Sequence, residues 1–175
     1  MTWHNLITPR GRDVIFDAIV HVVWADGRLT PLEVGAVGAA ADMLGLAARD
    51  LGATMLARRN RPFESLELGS LGPLERAFAY GAAVWVSIAD GRVATSEYHT
   101  LLRIGRTLGL RGELAHRIEA WAWSVGDVGL LNEPTIALDR LFGKITAALL
   151  GNDAVSVGGW PADRPTAHAR RLRRG

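Results

Sequence analysis

The chain has 175 residues, 49% of them apolar and 22% charged, with a formal net charge of +2, a balance expected of one ordinary globular domain. The absence of cysteine excludes disulfides, thiolate metal sites and thiol redox chemistry by this chain. The sequence pI near 9.6 arises at one end: residues 1–150 hold 15 basic and 16 acidic side chains, whereas residues 151–175 hold five arginines against Asp153 and Asp163.

In chain order, the opening Met-Thr-Trp-His-Asn has neither the basic segment nor the apolar run of a signal peptide. His4 is expected in a flexible end. Over Asp13–Ala25 the polar Asp13, Asp17 and His21 recur every fourth position, so they share one face of a predicted helix. Thr30-Pro31-Leu32-Glu33 opens a second helix: Thr30 caps, Pro31 sits where no N–H is needed, and Glu33 reaches back to the Thr30 N–H. Gly45 ends it near Leu44. A third helix is predicted at about 47–59 and stops at Asn60-Arg61-Pro62. The second half follows the same plan, with helices at 73–89, 95–108 and 112–125, and a last one at 133–150. No segment shows sustained period-two alternation, so the fold is predicted to be all-α. The longest apolar stretches, around 14–25 and 77–89, are interrupted by Asp17 and His21 or diluted by Gly81 and Ser87. Neither reaches the roughly 20 clean residues of a membrane span, and a cytoplasmic, non-transmembrane protein is expected.

Laying His21–Leu46 over Trp85–Leu110 without a gap gives nine identities in 26 positions. They include Asp26/Asp90, Gly27/Gly91, Arg28/Arg92, Glu33/Glu97 and the Leu-Gly-Leu that stops each helix. The implied architecture is two three-helix repeats, about 13–60 and 74–126, related by a pseudo-twofold axis and followed by a closing helix. "ADGRLTPLE…LGL" and "ADGRVATSE…LGL" resemble the paired motif of the TerB-like (tellurite resistance protein B) domain, over about residues 10–150. The resemblance implies about seven helices in two pseudo-symmetric halves and a role in chemical stress response. The second copy departs from the motif at Ala94, where a Ser or Thr cap is usual. The chain has no His-Pro-Asp, so the co-chaperone activity of related J-domain proteins is not implied.

Two readings of the acidic corners stand side by side. In one, Asp26 and Asp90 accept hydrogen bonds from free N–H groups at the bend, and Glu33 completes a capping box. In the other, Asp26, Glu33, Asp90 and Glu97 offer their carboxylates to a divalent cation (Ca, Mg, Mn or Zn), relieving mutual repulsion. The TerB resemblance adds weight to this second reading. It is no EF-hand, because Arg28 and Thr30 occupy the third and fifth loop positions. Asp17 and His21, one turn apart, form a lesser candidate pair, with a solvated i,i+4 contact as the alternative. Trp121 and Trp123 cannot share one helical face, which places one of them at an edge or partner contact.

The last segment, 151–175, is rich in Gly, Pro and Arg and is predicted to be a flexible tail. Its Arg170, Arg171, Arg173 and Arg174 suit a solubilising end, contact with nucleic acid or anionic lipid, or docking on a partner. The functional expectation is a non-enzymatic interaction and stress-response module with an unidentified protein partner. The rivals are a metal-dependent hydrolase using the same carboxylates and a nucleic-acid or lipid binder acting through the tail.

Overall fold

The structure is a computed structural model that describes residues 3–46, 50–110, 112–129 and 133–151, with only the backbone described at 127–129. The described residues are all-helical. A 3-10 turn at Trp3–Leu6 precedes α1 (Pro9–Val23), α2 (Pro31–Met43) and α3 (Leu51–Arg59). Two further 3-10 turns, Phe63–Ser65 and Leu68–Ser70, lead to α4 (Pro73–Ser87), α5 (Thr95–Thr107), α6 (Glu113–Gly129) and α7 (Pro134–Leu150). Among the described residues, no helix is long and apolar enough to cross a membrane.

Alpha-helix starts are written in proline, and α1, α2, α4 and α7 each carry one in the first turn. The proline has no N–H to leave unpaired there. That signal places the start of α1 at Pro9, ahead of the Asp13 expected from periodicity, because Thr8 caps the helix by accepting from the Gly11 N–H. Asp50 likewise caps α3 through the Ala53 N–H. The predicted residues 47–49 of that helix lie outside the described residues, as does the tail from 152 onward, with its four arginines.

The centre of the molecule is the packing of α1 on α4. Both helices are buried for most of their length, from Val14 to Val20 in α1 and from Ala77 to Ser87 in α4. Each also touches the second helix of the opposite half, α1 against α5 and α2 against α4. Helix α7 lies across α2, α4 and α6. Gly81 makes that crossing possible, since a Cβ there would meet Ile145 Cδ1 at 2.8 Å and Ile118 Cγ2 at 3.2 Å. The N-terminal turn is part of the core and not a loose end. Trp3 is buried edge-on against Phe142 and Phe78, and its indole N–H donates to Asp139 Oδ1 at 2.7 Å. His4, expected to be flexible, stacks on Trp3 with ring centroids 3.7 Å apart.

One carboxylate joins the starts of the two central helices. Glu75 Oε2 accepts from the Gly72 N–H at 2.9 Å, and Oε1 accepts from both the N–H and the hydroxyl of Thr8 at 2.8 and 2.7 Å. Burial alone would raise the Glu75 pKa, but the bonds from Gly72 and Thr8 outweigh it and hold the pKa below the ordinary carboxylate value. Gly11 lies directly against this carboxylate and has no room for a side chain.

Two stability predictions follow from this packing. Glu75→Ala strands donors at both helix starts and lowers the unfolding free energy in urea by about 2–3 kcal/mol at neutral pH, the scale of charge-assisted bonds. Because the Glu75 pKa is depressed, this contribution is present above the ordinary carboxyl pKa of 4.5 and is lost as pH falls through the folded value. The gap between Glu75→Ala and parent therefore narrows in acid. Gly81→Ala overpacks the α4–α6–α7 contact and costs about 1–3 kcal/mol, read as a lower denaturation midpoint.

Candidate functional site: two acidic corners and a buried carboxyl pair

The two Asp-Gly corners match bond for bond. Gly27 and Gly91 hold φ of 77° and 79°, a left-handed bend that glycine adopts without a Cβ penalty. The Gly27 N–H donates to the Trp24 carbonyl, and the Gly91 N–H donates to that of Ile88. Asp26 Oδ1 accepts from the Arg28 N–H at 2.7 Å, and Asp90 Oδ1 accepts from the Arg92 N–H at 2.8 Å. An aspartate accepting two residues ahead in this way stabilises the bend locally. The helix stops match as well: the Leu46 and Leu110 N–H groups each reach back five residues, and Gly45 and Gly109 each reach back three. This is the Schellman pattern.

The glutamates share one role and differ in their surroundings. Glu33 and Thr30 form the full capping box, with the Thr30 N–H donating to Glu33 Oε2 at 2.6 Å and the Glu33 N–H donating to Thr30 Oγ1 at 3.2 Å. Glu97 keeps half of that arrangement: its Oε2 accepts from the Ala94 N–H at 2.7 Å, while alanine has no oxygen to return the bond. The retention of Glu97 beside Ala94 is thus partly a capping effect. Both side chains are buried, with Glu97 only 3% exposed.

The remaining oxygen of Glu97 is one of five buried side-chain polar atoms without a partner among the described residues, and the one carboxylate oxygen of the five. Oε1 is buried and receives no hydrogen from a donor, and the Glu97 carboxyl abuts that of Glu33, with Asp26 adding negative potential. Burial foremost, opposed by the Ala94 bond and reinforced by Glu33 and Asp26, pushes the Glu97 pKa up to about 8. Residues of the two corners therefore meet across the core. Their four carboxylates do not surround a common point as they stand: Asp26 and Asp90 turn an oxygen to their own backbone, and no group of three or more acidic or histidine side chains among the described residues is arranged to hold an ion. Glu33 and Glu97 are the pair brought together, with Asp26 near enough to act on Glu97.

The lesser candidates resolve into structure. Asp17 does not form a solvated pair with His21. It is buried and ion-paired to Arg58 at 2.5 Å and Arg61 at 3.2 Å, and Arg58 also bridges to Asp13 at 2.8 Å. This network covers the face of α1 that faces α3. At the matched place in α4, Gly81 admits α6 and α7 instead. His21 packs edge-on against Phe63, whose ring lies under the Arg103 guanidinium at 4.0 Å. Desolvation is the main cause lowering its pKa. Trp123 is buried and Trp121 half-buried beneath Arg117. Sequence reasoning missed a crevice between α4, α5 and α6, lined by Tyr80, Val84, Tyr98, Leu101, Glu119 and Trp123, where the Tyr80 hydroxyl donates to Glu119 Oε1 at 2.5 Å. It encloses about 30 Å³, room for a water molecule or two. The tyrosine at position 80, where the first half has Phe16, was its only sequence signal.

Comparisons with protein-family models, curated proteins and solved structures find no match to this chain.

The corners supply a differential test. Asp26→Ala and Asp90→Ala each remove one bend hydrogen bond, worth about 1 kcal/mol. Asp26→Ala also removes a negative charge acting on Glu97, so in paired urea melts at about pH 9, where Glu97 is ionised, it costs less than Asp90→Ala.

Proposed function

We propose that the chain is a non-enzymatic, cytoplasmic TerB-like module of the stress-response kind, and that its paired acidic corners make it responsive to a divalent cation. In this reading α1–α3 and α4–α6 are two copies of one unit about a pseudo-twofold axis, α7 closes the body, and a protein partner reads the state of the joint. The observation that carries the proposal is the buried Glu97 Oε1 without a donor, set against Glu33 from the opposite corner. Two carboxyl groups held together away from water favour any positive charge that separates them, and a hard cation prefers oxygen ligands. Matching bonds at Asp26 and Asp90 support the duplicated unit. Uptake in this scheme requires Asp26 or Asp90 to exchange its backbone N–H partner for the ion, a rotation open to Asp26 because it is exposed and to Asp90 because it is partly exposed.

Titration of the full chain with calcium, magnesium, manganese and zinc tests this. The expected result is a saturable NMR shift at Asp26, Glu33, Asp90 and Glu97 for at least one ion, lost in Glu97→Gln. No saturable shift at millimolar metal overturns the cation assignment.

A further inference from the structure

We infer that residues 152–160, which follow α7 and lie outside the described residues, double back along the outer face of α7 and seat Trp160 in a recess between α2, α7 and the N-terminal turn. The inference is independent of the acidic corners and of cation uptake.

The recess lies at the end of α7 remote from the chain's exit. It is lined by His4, Met43, Thr135, Ile136 and Asp139 and encloses about 210 Å³, far more than the crevice between α4, α5 and α6. Ile136 is 43% exposed and Met43 half-buried, so the recess keeps apolar surface in contact with water. Asp139 lines it with a carboxylate of which only Oδ1 is engaged, by the Trp3 indole N–H. A second indole, with a large apolar body and one N–H donor, suits both features.

An apolar track joins this recess to the chain's exit. The inner face of α7 buries Ala137, Leu138, Leu141, Phe142 and Ile145. On the outer face, Ile136, Gly143, Ala147 and Leu150 are all exposed, and their spacings of seven, four and three set them in one line along the helix. Ile136 and Leu150, at the two ends of that line, are among the exposed large apolar side chains of the described residues. Arg140 and Lys144 flank the line, are exposed, and hold no ion pair among the described residues.

The length and composition of the chain beyond α7 identify the occupant. The chain leaves α7 at Gly151, next to Leu150. From Gly151 back to Ile136 is roughly 22 Å of helix, and an extended chain from Gly151 to Trp160 spans up to about 30 Å. Trp160 therefore reaches the recess with length to spare for the reversal. Ala154, Val155 and Val157 supply apolar side chains on the way, and Trp160 is the one Phe, Tyr or Trp beyond Gly151. Charge points to the same segment: residues 152–163 hold Asp153 and Asp163 and no base, the complement of Arg140 and Lys144. The arginine-rich remainder has the wrong sign to lie beside those two cations. Docking in this way brings the cluster Arg170–Arg174 out at the α2 end of α7 instead of at its C-terminus.

The test is methyl NMR on the full chain, with a mixture of labelled and unlabelled chains as the control for contacts between molecules. The expected result is nuclear Overhauser contact between the Trp160 ring and the methyl groups of Met43, Thr135 and Ile136 within one chain. Trp160→Ala is expected to abolish those contacts and to shift the Met43 and Ile136 signals. Ile136→Asp, an exposed substitution on the other side of the contact, is expected to remove the contact of Trp160 with Met43. Absence of Trp160 contacts in the parent overturns the inference. Contacts found only between differently labelled chains assign the recess to the tail of a second copy and overturn the fold-back as well.

Discussion

The contact of α1 with α4 fixes the position of both acidic corners. Two helices that bury nearly all of their middle turns contribute little except apolar surface, at roughly 25 cal/mol per Å² removed from water. Their crossing nevertheless dictates where each chain leaves the core. Both helices end in the same Asp-Gly bend, and the following helices, α2 and α5, cross to the opposite partner. The first turns of α2 and α5 are thereby placed where Glu33 and Glu97 meet. Glu75, bonded to Thr8 and Gly72, ties the starts of the same two helices together at the other end.

Three glutamates at the third position of a helix show how surroundings decide what a carboxyl does. Each turns one oxygen back to the N–H of its cap residue: Glu33 to Thr30, Glu75 to Gly72 and Glu97 to Ala94. That shared bond is the ordinary reward for an acid at a helix start. The difference lies in the second oxygen. At Glu75 it receives two hydrogens from Thr8, and the pKa falls despite burial. At Glu97 it receives none, another acid lies beside the group, and the pKa climbs to about 8. Burial acts in the same direction on both; the supply of donors sets the sign.

Much of this was legible in the sequence because it is local. The bends need a residue tolerant of positive φ and an acceptor beside it, so Asp-Gly is written at both corners, and Leu-Gly-Leu marks both stops. Thr30-Pro31-Leu32-Glu33 reads directly as a capping box. What escaped was set by tertiary contact. Asp17 reads as a solvated polar residue on one helix face until α3 lays Arg58 against it, 41 positions away. Thr8-Pro9 carries a helix-start signal that periodicity overrode. Trp3 anchors a terminus that composition alone suggests is loose, since its partners Asp139 and Phe142 sit on the last helix. The Glu33–Glu97 pairing could be posed from the repeat, but the lack of a donor at Glu97 Oε1 is set by packing that no local motif records.

Ala94 also explains why the joint is asymmetric. A threonine there, as at position 30, would complete a second capping box through the Glu97 N–H. The acid pair is therefore a product of bringing two corners with matching bonds together: each brings a glutamate, and both are acids. A chain that needed only stability would relieve such a contact with a neutral or basic residue on one side, because a buried acceptor without a hydrogen costs about 1–3 kcal/mol. Retaining both acids keeps two buried carboxyl groups side by side, one oxygen of Glu97 without a donor.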